Sequence, residues 1–174
     1  HSALEIYSLR EKQVEILIEN MNFFLSYYNL PFSITAKLND NFFNKKLSHD
    51  DYINTLRQNR KFDQIIGGSK IGPHKSDYLF HVNNEYLASQ LSTGQQKTLI
   101  LLIFLSQCKY LKEMLNKKPI LLLDEICSHL DSVNRQILLE MTDQFDIQFF
   151  LTGTEKSLFS FISTKSNFYN ISEL

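Results

Sequence analysis

The segment that most constrains the fold is residues 120–125, where four consecutive apolar residues are followed by two acidic ones. A short, wholly apolar run of this kind is typical of a strand buried in a parallel sheet. Pro119 comes directly before it and ends an apolar helix predicted over residues 92–115. A capped helix is predicted over residues 131–144, and residues 147–151 form a second apolar strand. This helix–strand–helix–strand order predicts an α/β fold.

The first part of the sequence is mainly helical in character. Apolar residues at helical spacing predict one long helix over residues 3–28, and an alternating pattern predicts a short strand over residues 32–38. Ser48 followed by Asp51 is typical of a capping box and opens a further helix. Asn83–Asn84 fits a two-residue turn that needs positive φ, so a β-hairpin is expected around it.

Composition limits the possible functions of the 174 residues. The net charge is -1, from 18 Lys+Arg and 19 Asp+Glu, so any contact with nucleic acid must come from a local patch. The longest apolar run, residues 99–105, is too short to span a bilayer, and no membrane segment is expected. We place a domain boundary near residue 60, with a mainly helical lobe over residues 1–60 and the α/β part over residues 61–174.

Two motifs in the α/β part carry residue types suited to phosphate chemistry. Ser92 can cap the apolar helix, and Gly94 lets an anion approach the helix N-terminus, although an ordinary capped helix has the same pattern. Asp124 is suited to hold Mg²⁺, and Glu125 is suited to orient or deprotonate a water molecule. Taken alone, these two acids could equally be surface residues at the end of a strand.

The order of the motifs is more specific than any one of them. An LSxGQ element at residues 91–95, an apolar helix, the acidic strand and an SxLD element at residues 128–131 follow one another as in ABC-type ATPases. Transporters of that class usually have proline directly after the acidic pair, where this chain has Ile126. The chain instead resembles the RecF family of bacterial recombination-repair ATPases.

Two further elements carry this resemblance. Residues 72–77 resemble the GPH[RK]xD element of the RecF family, and residues 152–155 resemble its version of the switch loop. The similarity is strong over residues 72–155, whereas residues 1–60 match only in their helical character. The resemblance implies the C-terminal half of an ABC-type P-loop ATPase head, with a mainly helical lobe attached to it.

The resemblance also implies a role for each matching residue. Glu125 would be the catalytic residue in ATP hydrolysis, Asp124 would hold Mg²⁺, and Asp131 would lie at a dimer seam. Either Thr152 or Thr154 would occupy the switch position. Four signature residues would contact ATP that is held by a partner head: Ser92, Thr93, Gly94 and Gln95.

A P-loop of the form GxxxxGK[ST] is absent from the sequence. Gly67 and Gly72 have the required glycine spacing, but Pro73 and His74 follow instead of lysine and a hydroxyl residue. In the RecF family this loop lies near the N-terminus, and the present sequence starts at His1. We therefore expect a portion of a longer ATPase, which by itself neither binds ATP tightly nor hydrolyses it.

The wider biology is implied by the resemblance alone. It comprises DNA recombination, gap repair, replication and the SOS response in the bacterial cytoplasm, at the nucleoid. The cofactors would be ATP and Mg²⁺, with ATP-driven homodimerisation, and the partners would be DNA, RecO, RecR and the recombinase RecA. The alternatives are another SMC-like repair ATPase head and a non-enzymatic DNA-binding or dimerisation module. Five basic residues could contact DNA phosphates or simply be solvated: Arg57, Arg60, Lys61, Lys70 and Lys75.

Overall fold

The computed structural model describes most of the chain: residues 2–43, 48–125, 130–145, 147–162 and 166–171. The chain separates into two compact units, His1–Gln90 and Leu91–Leu174. The domain boundary near residue 60 was placed where the mainly helical part of the sequence ends, and it stays a prediction. No helix in the described ranges is long and apolar enough to cross a membrane.

The first unit is built around a small antiparallel sheet. In its described part it contains two α-helices and three strands: α1 (Ser2–Tyr27), α2 (His49–Ile66), β1 (Ile34–Asn39), β2 (Asp77–Val82) and β3 (Tyr86–Leu87). The strand order is β1–β2–β3, with Ile34 opposite Val82. Asn83 and Asn84 have φ values of 54° and 58°, which confirms the predicted turn with positive φ between β2 and β3. Val82 pairs with Tyr86, so three residues rather than two separate the paired positions of the hairpin.

Helix α1 packs one face against the rest of this unit. Six of its side chains are buried: Tyr7, Val14, Leu17, Met21, Phe24 and Leu25. Near its start, Tyr7 joins Phe42 and Tyr52 in an aromatic cluster, in which the rings of Phe42 and Tyr52 are 4.3 Å apart between centroids. Helix α2 therefore joins the core through its first turn, where Ser48 forms the predicted capping box with Asp51.

A buried carboxylate connects this cluster to the Gly72–Asp77 element. Asp40 is only 6% exposed, and its Oδ1 accepts hydrogen bonds from the backbone N–H groups of Phe42 and Phe43 at 2.8 and 2.9 Å. Its Oδ2 accepts a hydrogen bond from the Ser76 hydroxyl at 3.0 Å. Since a buried carboxylate is tolerated only when it is hydrogen-bonded, Asp40 fixes this element to the core.

The same cluster predicts alkaline destabilisation of the first unit. Burial raises the pKa of the Tyr7 and Tyr52 hydroxyls, and the Asp40 carboxylate raises both further. Above the ordinary tyrosine pKa of 10.0, the unfolded chain therefore loses protons that the folded chain keeps. The stabilising contribution of these hydroxyls is complete below pH 10, and above it the Tyr7 hydroxyl should lower the free energy of unfolding by up to about 1.4 kcal/mol per pH unit. Tyr52 acts in the same direction. Urea unfolding from pH 9 to 11.5 measures this slope, and an unchanged slope in Tyr7→Phe would contradict the explanation.

The second unit contains the predicted α/β order. Its described elements are α3 (Thr93–Glu113), β4 (Ile120–Leu123), α4 (Ser132–Phe145) and β5 (Gln148–Leu151). Strands β4 and β5 pair in parallel, with Leu123 opposite Leu151. Leu121 and Leu123 are buried, as are Leu101, Leu105 and Ile137 of the two helices. After β5, residues Lys156–Phe159 form a short 3-10 helix.

The apolar run of β4 is typical of a strand buried in a parallel sheet, but among the described residues β4 is buried on one face alone. Ile120 and Leu122 are 59% and 70% exposed, and Phe150 of β5 is 52% exposed. Successive side chains of a strand point to opposite faces, so only Leu121 and Leu123 reach the core of the unit. The described sheet therefore has one buried face and one open apolar face.

Candidate functional site

The carboxyl ends of the two parallel strands bring the acidic pair and the switch loop together. Asp124 and Glu125 follow β4, and Thr152 follows β5. The backbone N–H of Thr152 donates to the Leu123 carbonyl at 3.2 Å, which extends the pairing by one residue. This edge is where ligands bind in open α/β sheets, so the pair lies where phosphate chemistry is expected.

The Thr152 hydroxyl contacts both acidic residues. It donates a hydrogen bond to Asp124 Oδ1 at 2.5 Å and accepts one from the Glu125 backbone N–H at 2.9 Å. Glu125 has a φ of 50°, in the left-handed region that residues other than glycine rarely occupy. The threonine thus orients one carboxylate and holds the backbone of the other residue in a disfavoured conformation.

This contact distinguishes the two threonines of the switch loop. Thr152 touches the acidic pair, and Thr154 is an exposed residue two positions further along the loop. The structure thus shows which of the two can respond directly to a change at Asp124 or Glu125. The switch role itself stays a prediction.

Replacing Thr152 by Val removes the hydroxyl while keeping the branched shape. We expect the Glu125 amide to exchange with solvent about fivefold faster, because losing such a hydrogen bond costs about 1 kcal/mol. Amide exchange followed by NMR measures this directly. Thr152→Ser, which keeps the hydroxyl, should retain the protection; equal exchange in both variants would show that the hydroxyl does not hold Glu125.

The acidic pair suits a magnesium ion that also binds phosphate. No cluster of three or more His, Cys, Asp or Glu side chains that could hold a metal occurs in the ranges that the structure describes. Mg²⁺ usually keeps several waters and binds through one or two carboxylates together with substrate phosphates. Asp124, which is exposed at the strand end, fits this incomplete donor set.

The signature residues form the first turn of α3. Ser92 caps the helix as predicted: its hydroxyl accepts from the Gln95 backbone N–H at 3.4 Å, and Gln95 Oε1 accepts from the Ser92 N–H at 3.0 Å. Residues 92–95 are all exposed, and a Cβ added at Gly94 would meet no atom within 4 Å. The space above this turn is therefore open to an approaching anion, although the contact with ATP stays a prediction.

Asp131 caps α4, as the sequence predicts. Its Oδ1 accepts a hydrogen bond from the Asn134 backbone N–H at 2.8 Å. Its place at a dimer seam is untested, and residues 126–129, which include part of the SxLD element, lie outside the described residues. Sequence reasoning missed two contacts that start from Asn134. The Asn134 side-chain amide donates to the Thr98 hydroxyl at 2.8 Å, and that hydroxyl donates to the Gly94 carbonyl at 3.1 Å.

The five basic residues singled out in the sequence all belong to the first unit and are exposed. Arg57 and Lys61 are one helical turn apart on α2 and therefore share a face. Lys70 lies over the Phe62 ring, 4.8 Å from its centroid, and its backbone N–H donates to Asp63 at 2.9 Å. Lys75 lies in the Gly72–Asp77 element, which a hydrogen bond from Arg10 to the Pro73 carbonyl also anchors.

Comparison with curated proteins relates the chain to one family. It is 34% identical over 125 residues to the DNA replication and repair protein RecF of Rhizobium johnstonii, a match covering 71% of this chain and 33% of that protein. It is 36% identical over 124 residues to the RecF protein of Brucella abortus, covering 71% and 32%. The chain thus spans about a third of the length of these relatives. No protein-family model matches it.

Solved structures give the same relationship for the fold. The recombination mediator protein RecF-ATPrS in the RecFOR pathway has a TM-score of 0.69 and 24% identity, covering 92% of this chain and 43% of that chain. The RecF-ATP structure has a TM-score of 0.68 and 25% identity, covering 89% and 42%. The α/β fold predicted from the motifs is therefore confirmed as similar to that of RecF. Sequence and fold together show that the chain is related to the RecF proteins and corresponds to about one third of their length.

Proposed function

We propose that the chain is the C-terminal portion of a RecF-like, ATP-dependent DNA-binding protein that acts in DNA repair, recombination and replication. The observation that carries the proposal is the acidic pair at the end of β4, which Thr152 holds from the neighbouring strand. This arrangement occurs in a chain that aligns with the RecF proteins and whose fold matches RecF-ATP. The relatives bear the name DNA replication and repair protein, which supports the same role here.

The acidic pair would carry the chemistry of ATP hydrolysis. Glu125 would orient or deprotonate the attacking water, and Asp124 would hold Mg²⁺ at the nucleotide phosphates. When bound, Mg²⁺ would neutralise part of the negative charge on the phosphates. Thr152 supports these roles because it fixes the Asp124 carboxylate and the Glu125 backbone through its hydroxyl.

The signature turn would act on ATP that a second head holds. The first N–H groups of an α-helix have no intrahelical partner and favour an anion, and the turn at Ser92–Gln95 is exposed and open above Gly94. ATP would thereby draw two heads into a homodimer, with Asp131 at the seam. Hydrolysis would then release the dimer.

The chain alone lacks the loop that cradles the β- and γ-phosphates. The open face formed by Ile120, Leu122 and Phe150 supports the view that a P-loop half packs on this sheet, because parallel sheets are normally covered on both faces. We therefore propose that a P-loop half completes the head, and that the isolated 174 residues neither bind ATP tightly nor turn it over. We call the completed assembly the full-length protein.

DNA and the other partners belong to the same proposal. The exposed basic residues of α2 and the following turn would contact DNA phosphates, in a clamp formed by two complete heads. RecO, RecR and RecA would be the protein partners at single-strand gaps, within the bacterial cytoplasm and at the nucleoid. The RecFOR pathway associated with the matching structures supports this context.

Nucleotide binding with and without the P-loop half tests the proposal. Calorimetric titration of ATP with Mg²⁺ into the isolated chain should give no saturable binding, whereas the full-length protein should bind ATP and dimerise in analytical ultracentrifugation. ATP turnover by the isolated chain would contradict the proposed division of the site. The coding sequence upstream of His1 provides a second test: an open frame with a P-loop supports the ATPase, and an adjacent start codon supports a non-enzymatic module.

A further inference from the structure

Asn134 is a buried polar residue in the second unit. Only 6% of it is exposed, at the start of a helix whose Ile137 and Leu138 are core residues. A buried amide destabilises the fold unless it is hydrogen-bonded, so Asn134 needs a hydrogen-bond partner inside the unit. The side-chain Nδ2 donates to the Thr98 hydroxyl at 2.8 Å, across 36 positions of sequence from α4 to α3.

The Thr98 hydroxyl extends this contact to the signature turn. A hydroxyl has one donor and can also accept, and Thr98 uses both roles: it accepts from Asn134 and donates to the Gly94 carbonyl at 3.1 Å. At its other end, the backbone N–H of Asn134 donates to Asp131 Oδ1 at 2.8 Å. Asn134, through its backbone and its side chain, and Thr98 thus link Asp131 to Gly94.

We infer that Asn134 and Thr98 are positioning residues that hold the signature turn and the Asp131 cap in one fixed arrangement. A threonine that only bonded its own helix would leave the two elements independent; the buried amide of Asn134 connects them. The reason for holding the two elements together rests on the proposed function, in which both would face the same partner head. Because the signature turn and the Asp131 cap are held together, docking of one partner head would position both elements at once.

Amide exchange in the nucleotide-free chain tests the contact itself. Thr98→Val removes the hydroxyl and keeps the shape, and it should speed exchange of the Gln95 and Gln96 amides about three- to tenfold, measured relative to amides elsewhere in α3 and α4. Thr98→Ser should restore the slow exchange. Asn134→Ala should act like Thr98→Val, and the double variant should add little, since both interrupt one chain of bonds.

Two outcomes would overturn the inference. One is unchanged exchange at Gln95 and Gln96 in Thr98→Val; the other is a uniform rise across both helices, which would mean that the buried pair only stabilises the core. Because this measurement needs no nucleotide, it stands apart from any failure of the proposed ATPase function. Should Asn134→Ala fail to fold, the Thr98→Val and Thr98→Ser pair still decides the question.

A second measurement addresses the positioning role in the full-length protein. Thr98→Val should raise the ATP concentration needed for half-maximal dimerisation about three- to tenfold, and Thr98→Ser should restore it. Dimerisation unchanged by Thr98→Val, in a protein that does dimerise with ATP, would overturn the positioning role. Failure of the unaltered protein to dimerise would instead count against the proposed function.

Discussion

Glu125→Gln is expected to abolish ATP turnover by the full-length protein while leaving ATP-dependent dimerisation intact. The amide can neither deprotonate the attacking water nor stabilise its developing positive charge, and removal of a general base typically costs about 10²- to 10⁴-fold in rate. The backbone of Glu125 would keep its hydrogen bond to Thr152, so the loop should retain its shape. A steady-state phosphate-release assay measures the rate, and analytical ultracentrifugation measures the dimer.

Glu85→Gln is the matched control for this experiment. Glu85 is an exposed glutamate next to the β2–β3 turn of the first unit, and its substitution makes the same change of charge. Its turnover should equal that of the unaltered protein. If Glu125→Gln kept more than about a tenth of the turnover, Glu125 would not be the catalytic base.

Ser92→Arg should abolish ATP-dependent dimerisation. The substitution places a long cationic side chain on the exposed turn where the partner's nucleotide would bind, and it also removes the helix cap. Loss of a serine cap by itself destabilises a helix by about 1 kcal/mol, which is too little to unfold an ordinary domain. The effect on dimerisation should therefore greatly exceed the effect on folding.

The chain offers a close control for the cap. Ser48 caps α2 with the same reciprocal capping box, through Asp51 in place of Gln95, and is likewise exposed. Ser48→Arg should lower the urea midpoint to a similar extent and leave ATP-dependent dimerisation unchanged. Equal loss of dimerisation in the two variants would mean that destabilisation, and not the signature surface, accounts for the result.

Local features of the fold follow from residues within a few positions of one another. The capping box at Ser48, the helix cap at Ser92 and the Asn83–Asn84 turn were all predictable, because each depends on hydrogen bonds or φ values within about four residues. The Gly72–Asp77 element was recognised as a motif, yet its anchoring by Asp40 was not. That contact joins side chains 36 positions apart, and spacing rules carry no information about such a pair.

The burial of β4 shows a second limit of pattern reasoning. Its apolar run correctly predicts a parallel strand, because hydrophobicity and position in the sequence are properties of the segment itself. Exposure depends on what lies over the strand, and the residues that the structure describes cover one face, that of Leu121 and Leu123. The apolar sequence of β4 indicates a strand suited to a buried position, and the structure shows how much of that burial the described residues provide.

The sequence by itself determined the order of helices and strands, the caps of α2, α3 and α4, the acidic pair and the family resemblance. The tertiary structure alone decided that Thr152 is the threonine that contacts Asp124 and Glu125, and that Asn134 and Thr98 join Asp131 to the signature turn. These contacts close loops of 28 and 36 positions. They depend on the parallel register of β4 with β5 and on the packing of α3 against α4, which only the folded chain establishes.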